Sequence, residues 1–368
     1  MSRTIHLDAP SVGRLEKKYL AKAIDSGYIS SIGPFVRDFE ERFASYLDVR
    51  MAVSTQSGTA ALHMALCGLG IGKGDEVIVP SLTFIATVNP VLYVGAKPVF
   101  VDVDPHTWNM DPGSVAKKVN KKTRAIIPVH LYGNPCDMDG IMRIARKYGL
   151  RVIEDATESL GAKHSNRHTG TIGDLGCFSF NGNKIMTTGG GGMVTGNDEK
   201  VLRRIKFLVN QAREDGGGYY HPEVGFNYRM TNIEAAIGLA QLSRLESFLG
   251  KKSMFRDIYT DGLGKVPGIE FQAEIRKASS SHWLTCAKFK SGAIASRVQT
   301  ELKAMSIATR RLFMPLTKLP PYESMASGSF SNSEDIYEKG LCLPSSILNS
   351  GSDIRRVCRA IKEALGET

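Results

Sequence analysis

No two of the six cysteines, Cys67, Cys136, Cys177, Cys286, Cys342 and Cys358, form a C-x-x-C pair, so neither a zinc ribbon nor a redox dithiol can be drawn from them. They read as scattered, reduced packing residues of a cytoplasmic protein. The histidines show no metal spacing or triad, and His130 reads as a hydrogen-bonded structural residue. No apolar run approaches the roughly 18 residues that a membrane-spanning helix requires. The opening stretch carries Asp8, Arg14, Glu16, Lys17 and Lys18 where a signal peptide would be apolar, so secretion and membrane insertion are not expected. Internal repeats are also missing, since the Gly189 to Gly192 run is too short to count as one.

What is present is a globular composition. Of 368 residues, 42% are hydrophobic and 23% charged, enough apolar material for one large domain and a smaller one. Lys plus Arg (47) exceed Asp plus Glu (37) by ten, a balance that suits nucleic acid, anionic lipid or phosphorylated small molecules. The basic clusters Lys117-Lys118, Lys121-Lys122, Arg203-Arg204-Lys206 and Arg310-Arg311 have no interleaved aromatic residues, which argues against a nucleic-acid platform.

Short β-branched or apolar runs at Met51–Thr55, Glu76–Val79, Pro98–Val103, Arg124–His130, Arg151–Asp155, Cys177–Phe180 and Met193–Thr195 predict about seven strands. Helical-period segments, Thr59–Leu69, Phe84–Tyr93 and Met138–Tyr148, join them. This alternation predicts an α/β fold with a mostly parallel sheet flanked by helices. A long helix is expected from Thr231 to about Lys265, and a closing one over Asp353–Leu365. Residues 1–245 then form the large domain and 246–368 a smaller α+β domain.

Three elements can carry chemistry. Ser57-Gly58-Thr59-Ala60-Ala61-Leu62 follows a strand and opens a helix, so its first-turn N–H groups and hydroxyls can hold a phosphate or simply cap the helix. It lacks the G-K-[ST] ending of a Walker loop. Asp155 ends a buried-type strand at the carboxyl edge of the sheet, where ligands of such sheets bind; a helix cap is the plain alternative. Lys184 turns off the end of Cys177–Ser179 into the glycine run. A surface lysine is the ordinary reading, but a lysine beside a carboxylate and a phosphate cradle matches what a pyridoxal phosphate enzyme needs.

Together with Pro80-Ser81-Leu82-Thr83-Phe84, His130-Leu131-Tyr132-Gly133, Glu154-Asp155-Ala156, Ser179-Phe180-x3-Lys184 and Gly225-Phe226-Asn227-Tyr228-Arg229-Met230-Thr231-Asn232, these motifs resemble, in order, those of the DegT/DnrJ/EryC1/StrS nucleotide-sugar aminotransferases. The resemblance implies the fold type I aminotransferase architecture, pyridoxal 5'-phosphate (PLP) as cofactor and a homodimer with shared active sites. By motif it implies that Lys184 carries the cofactor as a Schiff base and that Asp155 pairs with the ring nitrogen. Phe84 would stack on the ring and Gly58, Thr59 and Ser179 would bind the phosphate. Glu158 would stand near the ring, one helical turn after Asp155. Asn227 would reach the phosphate of the neighbouring chain. Many relatives carry Glu where this chain has Gly190.

The implied reaction moves an amino group from L-glutamate to a keto group of a nucleotide-linked deoxysugar. Ser30-Ser31-Ile32-Gly33, Thr107-Trp108-Asn109-Met110-Asp111-Pro112 and Asn181-Gly182-Asn183-Lys184 look most like enzymes acting at C4 of a UDP-linked 4-keto-6-deoxy-N-acetylhexosamine, on bacillosamine or legionaminic acid routes. The alternative is a perosamine-type synthase using GDP-4-keto-6-deoxymannose. A ketosugar dehydratase of the same fold would have histidine at Lys184, and a non-catalytic regulator would tolerate loss of Lys184 or Asp155.

Overall fold

The computed structural model describes residues 4–214, 216 and 218–367. Its larger sheet has seven strands, β1 (Met51–Thr55), β2 (Glu76–Pro80), β3 (Lys97–Val101), β4 (Thr123–Ile126), β5 (Arg151–Asp155), β6 (Leu175–Ser179) and β7 (Gly192–Gly196), in the order β1-β7-β6-β5-β4-β2-β3. Neighbours from β6 through β3 run parallel, and β7 is antiparallel to both β6 and β1. The carboxyl ends of β1, β2, β4, β5 and β6 therefore share one edge. Period-two alternation sends Val77 and Val79 into one core layer and Ile78 into the other, so both faces are covered and the strand reads as continuously apolar.

A four-stranded antiparallel sheet follows, β8 (Ile269–Phe271), β9 (Cys286–Phe289), β10 (Arg310–Arg311) and β11 (Gly340–Cys342), in the order β8-β9-β11-β10. Residues of the helices Leu245–Leu263, Gly292–Ala304 and Gly351–Leu365 share its core, and so does Ile5, which bridges to Ile307. Among the described residues, no helix is long and apolar enough to cross a membrane.

Several elements differ from the sequence expectation for identifiable reasons. The run Arg124–His130 stops as a strand at Ile126, because Pro128 has no N–H for the ladder. Phe84–Tyr93 splits into a 3-10 turn, Ile85–Thr87, and a helix, Asn89–Tyr93, since Pro90 cannot continue a helix already begun. The expected long helix is two, Asn232–Leu242 and Leu245–Leu263. At the break, the Ser243 hydroxyl donates to the Ala240 carbonyl at 2.8 Å, a local bond that competes with the helical ladder. Two helices precede β1, Arg14–Asp25 and Pro34–Leu47; the second buries Phe39, Phe43 and Leu47 at fourfold spacing, a signal that the sequence did carry.

Candidate active site

The carboxyl edge of the large sheet opens into a cavity of about 260 Å³. One end is built where β1 turns into the helix Gly58–Gly68. Ser57 caps that helix, its hydroxyl accepting from the Ala60 N–H at 3.1 Å. Gly58 crosses the end of β6 so closely that a Cβ there would lie 2.8 Å from the Ser179 Cβ and 3.0 Å from the Thr157 methyl. Ser57, Gly58, Thr59, Thr157 and Ser179 all line this end. First-turn N–H groups have no partner within the helix, so the hydroxyl-rimmed cradle suits a phosphate.

Asp155, 2% exposed, stands at the end of β5. One carboxylate oxygen, Oδ2, accepts from the Thr87 hydroxyl at 2.7 Å. The other, Oδ1, accepts from the Thr157 hydroxyl at 2.7 Å and the Thr157 N–H at 3.1 Å. No helix follows Asp155, which removes the cap reading. Its neighbour Glu154 is a structural staple, receiving the N–H groups of Gly170, Ile172 and Gly173 and facing His130 Nε2 at 3.0 Å. The Cys136 N–H donates to His130 Nδ1, so both ring nitrogens are occupied. Among the described residues there is no metal-binding group of side chains.

The Lys184 amine lies 3.8 Å from Glu158 Oε1 on one side and 4.1 Å from the Trp283 ring centroid on the other. Burial pushes the Lys184 amine below its ordinary value, against the opposing charges of Glu158 and Asp155. Burial likewise pushes the Glu158 carboxyl up to about 7, with Lys184 pulling the other way. The Trp283 indole N–H donates to the Asn183 carbonyl at 2.7 Å, which fixes the ring over the lysine. Phe84, about half exposed, leans on Phe313 with centroids 5.6 Å apart. Arg310 completes the far wall.

Of the residues singled out from sequence, Gly58, Thr59, Phe84, Glu158, Ser179 and Lys184 line one cavity. Asp155 sits beside it, two residues before Thr157. Glu158 is there without a helix, because residues 156–162 are turns and irregular chain. Asn227 is not there: it is exposed on a separate loop, its side-chain amide oxygen Oδ1 accepting from Arg229 Nη2. Gly190 lines the cavity, and a Cβ on it would lie 3.2 Å from Glu234 Oε1, so an acid at that position would meet like charge. Sequence reasoning missed Thr87, Thr157, Trp283 and Arg310. Thr157 alone had a local signal, an Asx turn two residues after Asp155.

These groups fit PLP: a glycine cradle that any side chain would fill, a largely enclosed amine, a buried carboxylate and a half-exposed aromatic ring. Residues 10–362 match the DegT/DnrJ/EryC1/StrS aminotransferase family. A protein from Caulobacter vibrioides named GDP-perosamine synthase is 41% identical over 98% of each chain. One of the same name from Escherichia coli O157:H7 is 39% identical over 96% of each. Among solved structures, a Streptococcus pneumoniae protein in its PLP form matches with a TM-score of 0.93 at 26% identity, covering 98% of each chain.

Proposed function

The chain belongs to the DegT/DnrJ/EryC1/StrS aminotransferase family, and from that premise we propose that it aminates C4 of a GDP-linked 4-keto-6-deoxyhexose with L-glutamate as donor. It is a PLP-dependent nucleotide-sugar aminotransferase with the fold type I architecture. The observation that carries the reading is the Lys184 amine, held between Glu158 and Trp283 at the edge of the sheet that also bears Asp155. Two relatives named GDP-perosamine synthase move the reading from the UDP-linked N-acetylhexosamine to GDP-4-keto-6-deoxymannose. The UDP-linked sugar stays as the second reading on the motifs at residues 30–33, 107–112 and 181–184.

When bound, the cofactor supplies a ring that accepts the electron pair left by the donor's Cα–H bond. In our reading the chain does the rest. Gly58, Thr59 and Ser179 hold the phosphate, and Phe84 covers a ring face. Asp155, fixed by Thr87 and Thr157, keeps the ring nitrogen protonated. Lys184 Nζ would take the donor's Cα proton and deliver it to the cofactor carbon on the far side of the shared nitrogen. Asn227 is supplied by a second copy of the chain across a two-fold interface, which its exposure outside its own cavity supports. We also divide the chain into a large domain, 1–245, and a small one, 246–368, since the large sheet spans 51–196 and the small one 269–342.

A panel of GDP- and UDP-linked 4-ketosugars, assayed for 2-oxoglutarate release from glutamate, tests the substrate. Preference for GDP-4-keto-6-deoxymannose is expected; preference for the UDP sugar would favour the second reading, and turnover of neither would sink both. For the shared site, mixed Lys184→Ala and Asn227→Ala chains should form heterodimers with one intact and one doubly damaged site. Roughly half of the wild-type activity per heterodimer is expected from that symmetry. No rescue after confirmed subunit exchange, with Asn227→Ala alone impaired, would exclude it.

A further inference from the structure

We propose that Trp283 is a positioning residue for Lys184: its indole N–H holds the turn that carries the lysine, and its ring face stabilises the positive charge that Nζ gains on taking the donor's Cα proton. The inference rests on the reading of Lys184 as the amine that bonds the cofactor. The Lys184 amine lies 4.1 Å from the Trp283 ring centroid, well inside the roughly 6 Å over which a ring face attracts a cation. The indole N–H donates to the Asn183 carbonyl at 2.7 Å, one residue before the lysine, so the ring and the turn it faces are tied to each other.

The ring has little freedom of its own. Trp283 is 2% exposed and stacks on Tyr132, with centroids 6.3 Å apart and planes 24° from parallel. Its carbonyl accepts from Lys252 Nζ at 2.8 Å. Gly133, at φ 101°, lets this segment come close: a Cβ there would lie 2.8 Å from the Trp283 backbone nitrogen. Tyr132 also gives its N–H to Glu158 Oε2 at 2.8 Å. One residue thus seats both the ring on one side of the amine and the carboxylate on the other.

Proton transfer breaks the donor's Cα–H bond and makes an N–H bond on Lys184, and the electron pair of the broken bond passes to the cofactor ring. Nζ is neutral before that step and cationic after it. In a largely enclosed site the new charge has little water to solvate it, and an aromatic face attracts a cation through its quadrupole far more than it attracts a neutral amine. Trp283 therefore favours the product side of the step, and the transition state in proportion to the charge already developed.

The test replaces Trp283 by mono-, di- and trifluorotryptophan through a reassigned codon, leaving Trp108 as it is. Fluorine withdraws density from the ring face but keeps the indole's shape and its N–H, so the packing and the bond to Asn183 persist. Acetic anhydride labelling of Lys184 in the cofactor-free chain, read against pH by mass spectrometry, should show its apparent pKa falling stepwise along the series. Glu158, Asp155, Arg310 and Asp8, the charged groups acting on the amine, are the same in every member, so the shift reports the ring. In the holoenzyme the single-turnover rate with glutamate should fall along the same series, within the range of about 2- to 30-fold that a cation–π contact is worth, while the glutamate concentration for half-maximal rate stays put. For the N–H, Trp283→Phe should speed amide exchange several-fold over residues 181–187 of the cofactor-free chain and leave the strand 151–155 unchanged. A Lys184 titration and rate that ignore fluorination would overturn the inference. So would exchange over 181–187 that ignores Trp283→Phe, or that quickens only together with the strand, since the ring would then be packing alone. Borohydride reduction separates the two levels of the argument: no cofactor mass fixed on Lys184 of the wild-type chain defeats the lysine reading itself.

Discussion

The two halves of the cavity differ in how their polar groups are occupied. On the sheet side the Ser57 hydroxyl, both oxygens of Asp155 and both of Glu154 have partners, and Gly58 is packed to contact. On the side built by residues 283–313, Arg310 keeps Nε and Nη2 buried without partners, and Phe84, across from Phe313, is half exposed. The difference matches what each half must hold. A cofactor that stays in place suits a floor with no remaining freedom. An amino acid and a nucleotide sugar must use the same opening in turn, and a wall with unmade bonds can adapt to either. An unpartnered buried donor costs about 1–3 kcal/mol, so stability alone does not account for Arg310.

If the floor carries the chemistry, the largest effect belongs to Lys184→Ala. Turnover should vanish while the chain stays folded and the phosphate cradle stays intact, with loss of the cofactor band that borohydride bleaches in wild type. Near-normal transamination by this variant would remove the central claim. Next comes Asp155→Asn, whose single amide oxygen can still accept from Thr157 but which cannot hold the ring nitrogen's proton. A loss of about 100-fold is expected, roughly 3 kcal/mol at the transition state. A variant within a few-fold of wild type would place the ring's partner elsewhere.

A smaller effect tests the packing of the floor rather than its charge. Gly58→Ala inserts a methyl 2.8 Å from the Ser179 Cβ, and overpacking of this kind costs about 1–3 kcal/mol. Both the melting temperature and the affinity for PLP should fall, the latter about tenfold for each 1.4 kcal/mol. An unchanged PLP dissociation constant, measured by absorbance titration of the apoenzyme, would mean that Gly58 does not shape the cradle.

The floor was also the half legible in the sequence. Its groups sit at strand ends, and the strands announce themselves as short β-branched runs; Asp155 and Lys184 each lie within a few residues of such an end. Thr87 was not legible, since it meets Asp155 across 68 residues from a turn that Pro90 forces. The wall was hidden for the same reason: Trp283 reaches Asn183 across 100 residues, and no local period marks a ring that will cover a lysine. Arg310 stood in the sequence only as one of a basic pair.

The smallest expected effect lies on that wall and sharpens the contrast most. In Arg310→Gln the bond from Nη1 to Asp8 at 3.3 Å is lost, but so are the two buried donors without partners, and the two changes oppose each other in stability. The melting temperature should therefore stay close to that of wild type, and the PLP dissociation constant should not move, because the cradle is at the other end of the cavity. The guanidinium edge formed by Nε and Nη2 is the one that grips a carboxylate through two parallel bonds. When an anionic substrate draws that edge out of its buried position, two unmade bonds become made ones. KM for glutamate should rise several-fold with kcat less affected, in keeping with about 1 kcal/mol of binding removed from both ground and transition states. A fall in melting temperature comparable to that of Gly58→Ala, with KM unchanged, would show that Arg310 belongs to the fixed half and that the two halves do not differ in the way their bonding suggests.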